Sequence, residues 1–156
     1  GKAAGQTIYY VEVASALFTF SFDIDTTYIG KYTFLTSEYG KPVNGVDPVK
    51  RSKTALSALA RFLLDFPVGA KRTRFNPADI RWESIGIAVS DDVFTMPSSF
   101  TGDYLARAVA KAQLANRGTR IHAYIEGGCN VKDIQCYASP EEAVLKAISE
   151  AISRVK

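Results

Sequence analysis

Apolar and polar residues alternate strictly at Phe18, Phe20, Phe22 and Ile24 against Thr19, Ser21, Asp23 and Asp25. A period of two places four apolar side chains on one face of a strand and predicts that face as core. Upstream, Val11 and Val13 keep the opposite phase around Glu12, so the small residues Ala14, Ser15 and Ala16 predict a bulge or bend. Residues 28–45 show no period and carry Gly40, Pro42 and Gly45, which predicts an irregular connection. Asp47-Pro48 has the form of a helix start, a capping acid before the residue favoured in the first turn. Val49, Leu56, Leu59, Leu63 and Phe66 then form a helical stripe, widened by Ala55, Ala60 and Phe62, and Pro67 and Gly69 end it.

Residues 80–89 predict a second strand, with Ile85, Ile87 and Val89 in phase and Gly86 leaving one spot bare. A helix is expected from Ser99 or Thr101 through about Arg117, buried by Leu105, Val109 and Ala112 and stopped by Gly118. Ile121, Ala123 and Ile125 alternate as a third strand. Ser139-Pro140-Glu141-Glu142 is a capping box, launching a helix whose Val144, Leu145, Ile148, Ile152 and Val155 face inward. Strand, helix, strand, helix, strand, helix predicts an α+β layer, a sheet covered by helices on one face. With 156 residues, 47% of them hydrophobic, residues 1–156 are expected to form a single domain around one core. No apolar run approaches the ~18 to 20 residues of a membrane-spanning helix, so no membrane partner is expected and a cytoplasmic location follows by default. Residues 1–6 are small and polar without an initiator methionine, and the chain reads as starting at a cut edge.

Charge changes this picture. The net charge is only +3, but eight cations lie between Lys50 and Arg81 (Lys50, Arg51, Lys53, Arg61, Lys71, Arg72, Arg74, Arg81) against Asp65 and Asp79. The local excess is +6 and the rest of the chain sums to −3. Within "VGAKRTRF", Gly69 and the short Ala70 and Thr73 leave the main chain approachable, so amides as well as Lys71, Arg72 and Arg74 can meet phosphate oxygens. Lys50, Arg51 and Lys53 occupy the first turns of the helix, where cations oppose the dipole unless an anion compensates. A solvated loop is the bland reading of such a run; together these details favour binding of a phosphate backbone.

Catalytic constellations are sparse. The lone histidine, His122, lies in a strand whose neighbours point the other way, and it reads as a sheet-surface or nucleic-acid-facing residue. Asp23/Asp25 and Asp91-Asp92 are close acid pairs, but an acidic strand end before a loop is the ordinary reading, and no metal or other cofactor is assigned. Cys129 and Cys136 do not match a zinc pattern; two reduced thiols at a sheet edge are expected, with a cross-strand disulfide as the alternative. No Walker sequence or dinucleotide fingerprint appears, and an enzyme is not expected.

The stretches "VEVASALFTFSFDID", "RSKTALSALARFLL" and "GAKRTRFNP", with Met96-Pro97 and Asp103-Tyr104-Leu105 after them, resemble the C-terminal half of the backbone subunit of type I CRISPR interference (Cascade) complexes. The branch is the archaeal type I-A, DevR-like autoregulator group of the RAMP superfamily. That resemblance implies a ferredoxin-like, RRM-type palm, here incomplete because the N-terminal strand, its helix and the thumb insertion are absent. An unpaired sheet edge, open to self-association, is then expected. It also implies a noncatalytic CRISPR RNA-binding subunit in antiviral defence, stacked with copies of itself in a helical filament along the guide and joined by other interference-complex subunits. Target DNA is met indirectly, through guide pairing. By the same resemblance the guide-holding residues are Gly69, Lys71, Arg72 and Arg74, with Lys50, Arg51 and Lys53. A RAMP-type ribonuclease and a basic partner-binding regulatory domain are the alternatives.

Overall fold

A computed structural model describes residues 16–34, 37–65, 81–115 and 118–156. Its elements are α1 (Pro48–Asp65), β1 (Ser84–Val89), α2 (Tyr104–Ala115), β2 (Arg120–Ile125), β3 (Gln135–Cys136) and α3 (Pro140–Arg154). Two helices begin where their capping chemistry places them. Asp47 Oδ1 accepts the Lys50 amide at 3.0 Å ahead of α1, and Ser139 Oγ accepts the Glu142 amide at 3.1 Å ahead of α3. Each bond satisfies an amide that the first helical turn leaves without a partner. Glu141 and Glu142 in the first turn of α3 and Arg154 in its last complement the helix dipole at both ends.

The sheet order is β1-β2-β3. β1 and β2 pair antiparallel with Ile87 opposite His122 and Gly86 opposite Ala123. β3 pairs parallel with β2 through Gln135 and Cys136 alone. The residues between β2 and β3 form no helix, so the chain doubles back within a short loop and reaches only two ladder positions. This strand carries no alternation of its own, and the sequence pattern did not announce it.

Side chains alternate across the sheet, and both faces are covered. Leu56, Ala60 and Leu63 of α1 pack with Ile85 and with Ala143, Val144 and Ile148 of α3 on one face. Tyr104, Leu105 and Ala108 of α2 pack with Ile121 and Ala123 on the other. The expected one-sided cover is therefore corrected. Gly86 and Ala123 lack the bulk to hold α2 away, so α2 settles on the face that their small side chains leave open. Leu145, expected to face inward, is 54% exposed, because it stands one residue off the stripe of Val144 and Ile148.

The aromatic stretch departs furthest from expectation. Residues 16–26 form no strand, and Phe18, Phe20 and Phe22 are 78%, 52% and 48% exposed rather than core. Alternation specifies a face but not the neighbour that covers it, and no described strand pairs with this segment. Among the described residues Phe20 stacks on Phe22 with centroids 6.0 Å apart and meets Trp82, just ahead of β1, at 5.7 Å. The two cysteines, expected as thiols, are joined in a disulfide. The turn after β2 carries Cys129 back toward Cys136, which stands beside Ala123 in β3.

Gly86 tests the close approach of α2. A Cβ there lies 2.8 Å from Leu105 Cδ2 and 3.0 Å from Tyr104 Cε2. The Tyr104 ring has little freedom to yield, since its hydroxyl bonds Ser84 Oγ at 2.5 Å. Gly86→Ala is expected to destabilise the fold by about 1 to 3 kcal/mol through overpacking, read as a lower urea midpoint. An unchanged midpoint would show that α2 moves aside freely.

Candidate functional site

The basic region begins on α1. Helical periodicity sets Lys50, Lys53, Ser57 and Arg61 along one stripe. It flanks the buried stripe of Ser52, Leu56, Ala60 and Leu63, with Lys53 nearest to that stripe and Lys50 and Arg61 further round the helix. The hydroxyls on the outer face turn inward: Thr54 Oγ1 donates to Lys50 O and Ser57 Oγ to Lys53 O, each at 2.9 Å. Their side chains stay short against the helix, and the cations project past them.

The cations divide into two groups. Arg61 pairs with Asp65 one turn on, Nε to Oδ2 at 3.5 Å. Arg81 pairs with Glu126, and this hydrogen-bonded carboxylate raises the guanidinium pKa further. Lys50, Arg51 and Lys53 are exposed, and among the described residues no carboxylate comes within ion-pair distance of them. Gly69, Lys71, Arg72 and Arg74 lie outside the described residues. Asp47 is the anion nearest in sequence to the helix start, and through its bond to the Lys50 amide it offsets part of the unfavourable dipole term.

An aromatic pair flanks this helix start, and the sequence reading passed over it because residues 28–45 carry no period. Tyr32 N bonds Lys41 O and Gly40 N bonds Tyr32 O, both at 2.9 Å, so the segment doubles back on itself. This brings the Tyr28 and Tyr39 rings to 5.3 Å at 53°. Both rings are exposed, and Lys31 and Lys41 meet the same turn. Gly30, at φ 80°, lets the loop sit against α1, since a Cβ there would lie 3.1 Å from Pro48 Cα and from Val46 Cγ1.

Asp25, Asp91 and Asp92 of the acidic pairs are engaged within the chain. Asp25 Oδ1 accepts the Thr27 amide at 2.8 Å, and hydrogen bonds from Thr27 lower its pKa. Asp91 pairs with Arg154 at 3.3 Å, and Asp92 Oδ1 accepts the Val93 amide at 2.6 Å. Among the described residues no cluster of three or more His, Cys, Asp or Glu has the arrangement to hold a metal.

His122 is neither on the sheet surface nor facing a nucleic acid. Its side chain is 2% exposed beneath α3, with Nε2 2.9 Å from Glu150 Oε2 and Nδ1 2.9 Å from Tyr137 Oη. The strand pattern predicted its face correctly, but not that α3 would cover that face. Burial lowers the imidazole pKa; Glu150 opposes this, while Arg120 and Arg154 add to it. Burial also works to raise the Glu150 pKa, but hydrogen bonds from Arg154 and His122 outweigh it and the net shift is downward. The group is thus a neutral imidazole between a carboxylate and a phenol. Tyr137 Oη also lies 2.8 Å from Gln135 Oε1, so its one proton serves Nδ1 when the ring is neutral and Gln135 when Nδ1 is protonated.

A depressed histidine pKa has a definite sign in stability. Just below pH 6.5 the unfolded chain binds more protons than the native one, so His122 stabilises fully above that pH and progressively less as pH falls toward its native value. Glu150 acts in the same direction but below its ordinary value of 4.5, so the interval from pH 7.5 to 5.5 isolates the histidine. The urea midpoint is expected to fall across that interval, and His122→Gln is expected to flatten the slope. A wild-type midpoint independent of pH there would contradict the buried neutral ring.

Comparison with known proteins places these features in context. Residues 1–109 match the family of the CRISPR-associated negative auto-regulator DevR/Csa2. The chain is 32% identical over 131 residues to the CRISPR-associated aCascade subunit Cas7/Csa2 2 of Saccharolobus solfataricus, a match covering 79% of this chain and 39% of that protein. It is 37% identical over 99 residues to the CRISPR-associated protein Cas7/Csa2 1 of the same organism, covering 63% of this chain and 29% of the other. The chain therefore spans well under half the length of these curated relatives. No solved structure matches it.

Proposed function

Because the chain belongs to the DevR/Csa2 family of CRISPR-associated proteins, we propose that it acts as a noncatalytic backbone subunit of an archaeal, type I-A interference complex. In this reading it holds the CRISPR RNA by its phosphates, in register with copies of itself along the spacer and beside the other subunits of the complex, within the cytoplasm. The guide then selects target DNA by base pairing, and the protein reads backbone rather than sequence. One observation supports the assignment above others: the exposed cations Lys50, Arg51 and Lys53 have no described carboxylate partner, on a helix that leads into the basic stretch of Gly69, Lys71, Arg72 and Arg74. The exposed Tyr28–Tyr39 pair at the start of the same helix offers π-faces on which bases of a single strand can stack. His122 has no part in this role, both ring nitrogens being occupied within the chain.

The proposal extends to the architecture. In a ferredoxin-like palm, residues 1–156 supply part of a single domain, and β1 is not an edge. Among the described residues β1 ends the sheet, and a groove of about 550 Å³ is lined by β1 and by the extended segment carrying Phe20, Phe22 and Ile24. A further strand in that groove would pair with the free edge of β1 and cover the exposed aromatic face at once.

Charge reversal tests the RNA site. The binding of a single-stranded RNA is expected to weaken steeply with salt, the logarithm of affinity falling by about 0.7 per phosphate contact for each decade of salt. Lys50→Glu with Lys53→Glu, and separately Lys71→Glu with Arg72→Glu and Arg74→Glu, are expected to lower affinity and flatten this slope. Acids in the first turn of α1 favour the helix dipole, so a lost affinity with unchanged circular dichroism is a loss of contact and not of fold. Unchanged affinity and slope in both variants would refute the assignment.

A further inference from the structure

The Cys129–Cys136 disulfide stands where the sheet is weakest. β3 holds β2 through two residue pairs and one further backbone bond, Tyr137 N to Ala123 O at 3.0 Å. A two-residue strand has little cooperative pairing of its own. The bridge closes a loop with a sequence separation of only seven, and so short a loop removes less unfolded-chain entropy than a long one. Its principal effect is therefore local. What it holds in place is specific: β3 delivers Tyr137, whose hydroxyl meets His122 Nδ1, and Gln135, whose amide oxygen meets the same hydroxyl.

The loop has anchors that do not depend on the bridge. Val131 and Ile134 pack against the cluster of Tyr104, Leu105 and Ala108. Asp133 Oδ2 accepts from Gln113 Nε2 at 3.2 Å. Asp133 itself has φ 64°, and Gly127 and Gly128 have φ 84° and 114°, backbone conformations that the free chain does not strongly prefer outside glycine. Cys136 is exposed as a residue, whereas Cys129 is half-buried, so Cys136 is the more approachable half of the bridge.

We infer that the Cys129–Cys136 bridge is a thiol–disulfide switch that sets whether β3 stays on β2 and Tyr137 stays on His122. A dithiol reductant supplies the chemistry. Its thiolate attacks the Cys136 sulfur, the bond between the cysteines breaks, and Cys129 leaves as a thiolate that takes up a proton. The second thiol of the reductant then displaces Cys136, giving two protein thiols and a cyclic disulfide. In the reduced state β3 loses its covalent tie, the edge of β2 is opened, and the imidazole keeps Glu150 but loses its phenol.

The experiment compares the full chain before and after reduction with excess dithiothreitol, followed by amide hydrogen exchange and by NMR of the His122 ring. Maleimide labelling is expected to find no thiols before and two after. Exchange at Tyr137 N–H is expected to accelerate at least tenfold and the His122 ring resonances to move, while Leu56 and Leu63 in α1 keep their protection. Cys129→Ser with Cys136→Ser is expected to reproduce the reduced state without reductant. Three results would each overturn the switch: free thiols in the air-equilibrated protein, unchanged exchange at Tyr137 on reduction, or loss of protection at Leu56 and Leu63 together with Tyr137. The last outcome, like failure of the double variant to fold, would make the bridge a global staple. None of these measurements involves RNA, so the switch and the RNA-binding reading stand or fall separately.

Discussion

An imidazole taken out of water needs both of its nitrogens satisfied, and the structure answers that need from two directions. Glu150 on α3 meets Nε2, and Tyr137, the residue after β3, meets Nδ1. Without such partners a buried polar ring costs roughly 1 to 3 kcal/mol per unpaired group; among the described residues no fully buried side-chain polar atom lacks a partner. The demand propagates. Glu150 is held in turn by Arg154, which also donates to Gly118 O at 2.6 Å and pairs with Asp91. The end of α3, the turn before β2 and the turn after β1 are thereby linked through the Arg154 guanidinium, which also holds the carboxylate that meets the buried ring.

Much of the fold was legible because its signals are local. Asp47-Pro48 and the Ser139 capping box set two helix starts, and the phases of Ile85 to Val89 and of Ile121 to Ile125 gave two strands and their faces. What escaped depends on contacts distant in sequence. Alternation at Phe18 to Ile24 is a property of the segment, whereas burial is a property of the segment and its neighbour, and the neighbour is missing from the described sheet. β3 is too short to have a period. His122 became a core residue only once α3 lay across it, and the cysteines became a disulfide only once the chain turned back beside Ala123.

The candidate site shows the same division. Charge segregation was visible in the residues, and helical spacing alone placed Lys50 and Lys53 along the flank of the buried stripe of α1. Sequence could not separate the cations that bind their own chain from those that do not. Arg61 meets Asp65 a single turn away, but Arg81 meets Glu126 across the strand pair, a partner that no local reading supplies. The Tyr28–Tyr39 pair was hidden for the opposite reason, since it belongs to a turn that has hydrogen bonds but no repeating pattern.

Gly30 carries a consequence for how the loop and α1 are joined. Its missing side chain allows the tyrosine turn to rest directly on Pro48 and Val46, which sets a pair of mutually tilted rings beside a charged helix start. Ring faces and unpaired charge thus share one continuous backbone support at the start of α1, so a substitution at Gly30 that displaces the turn moves the rings relative to the cations.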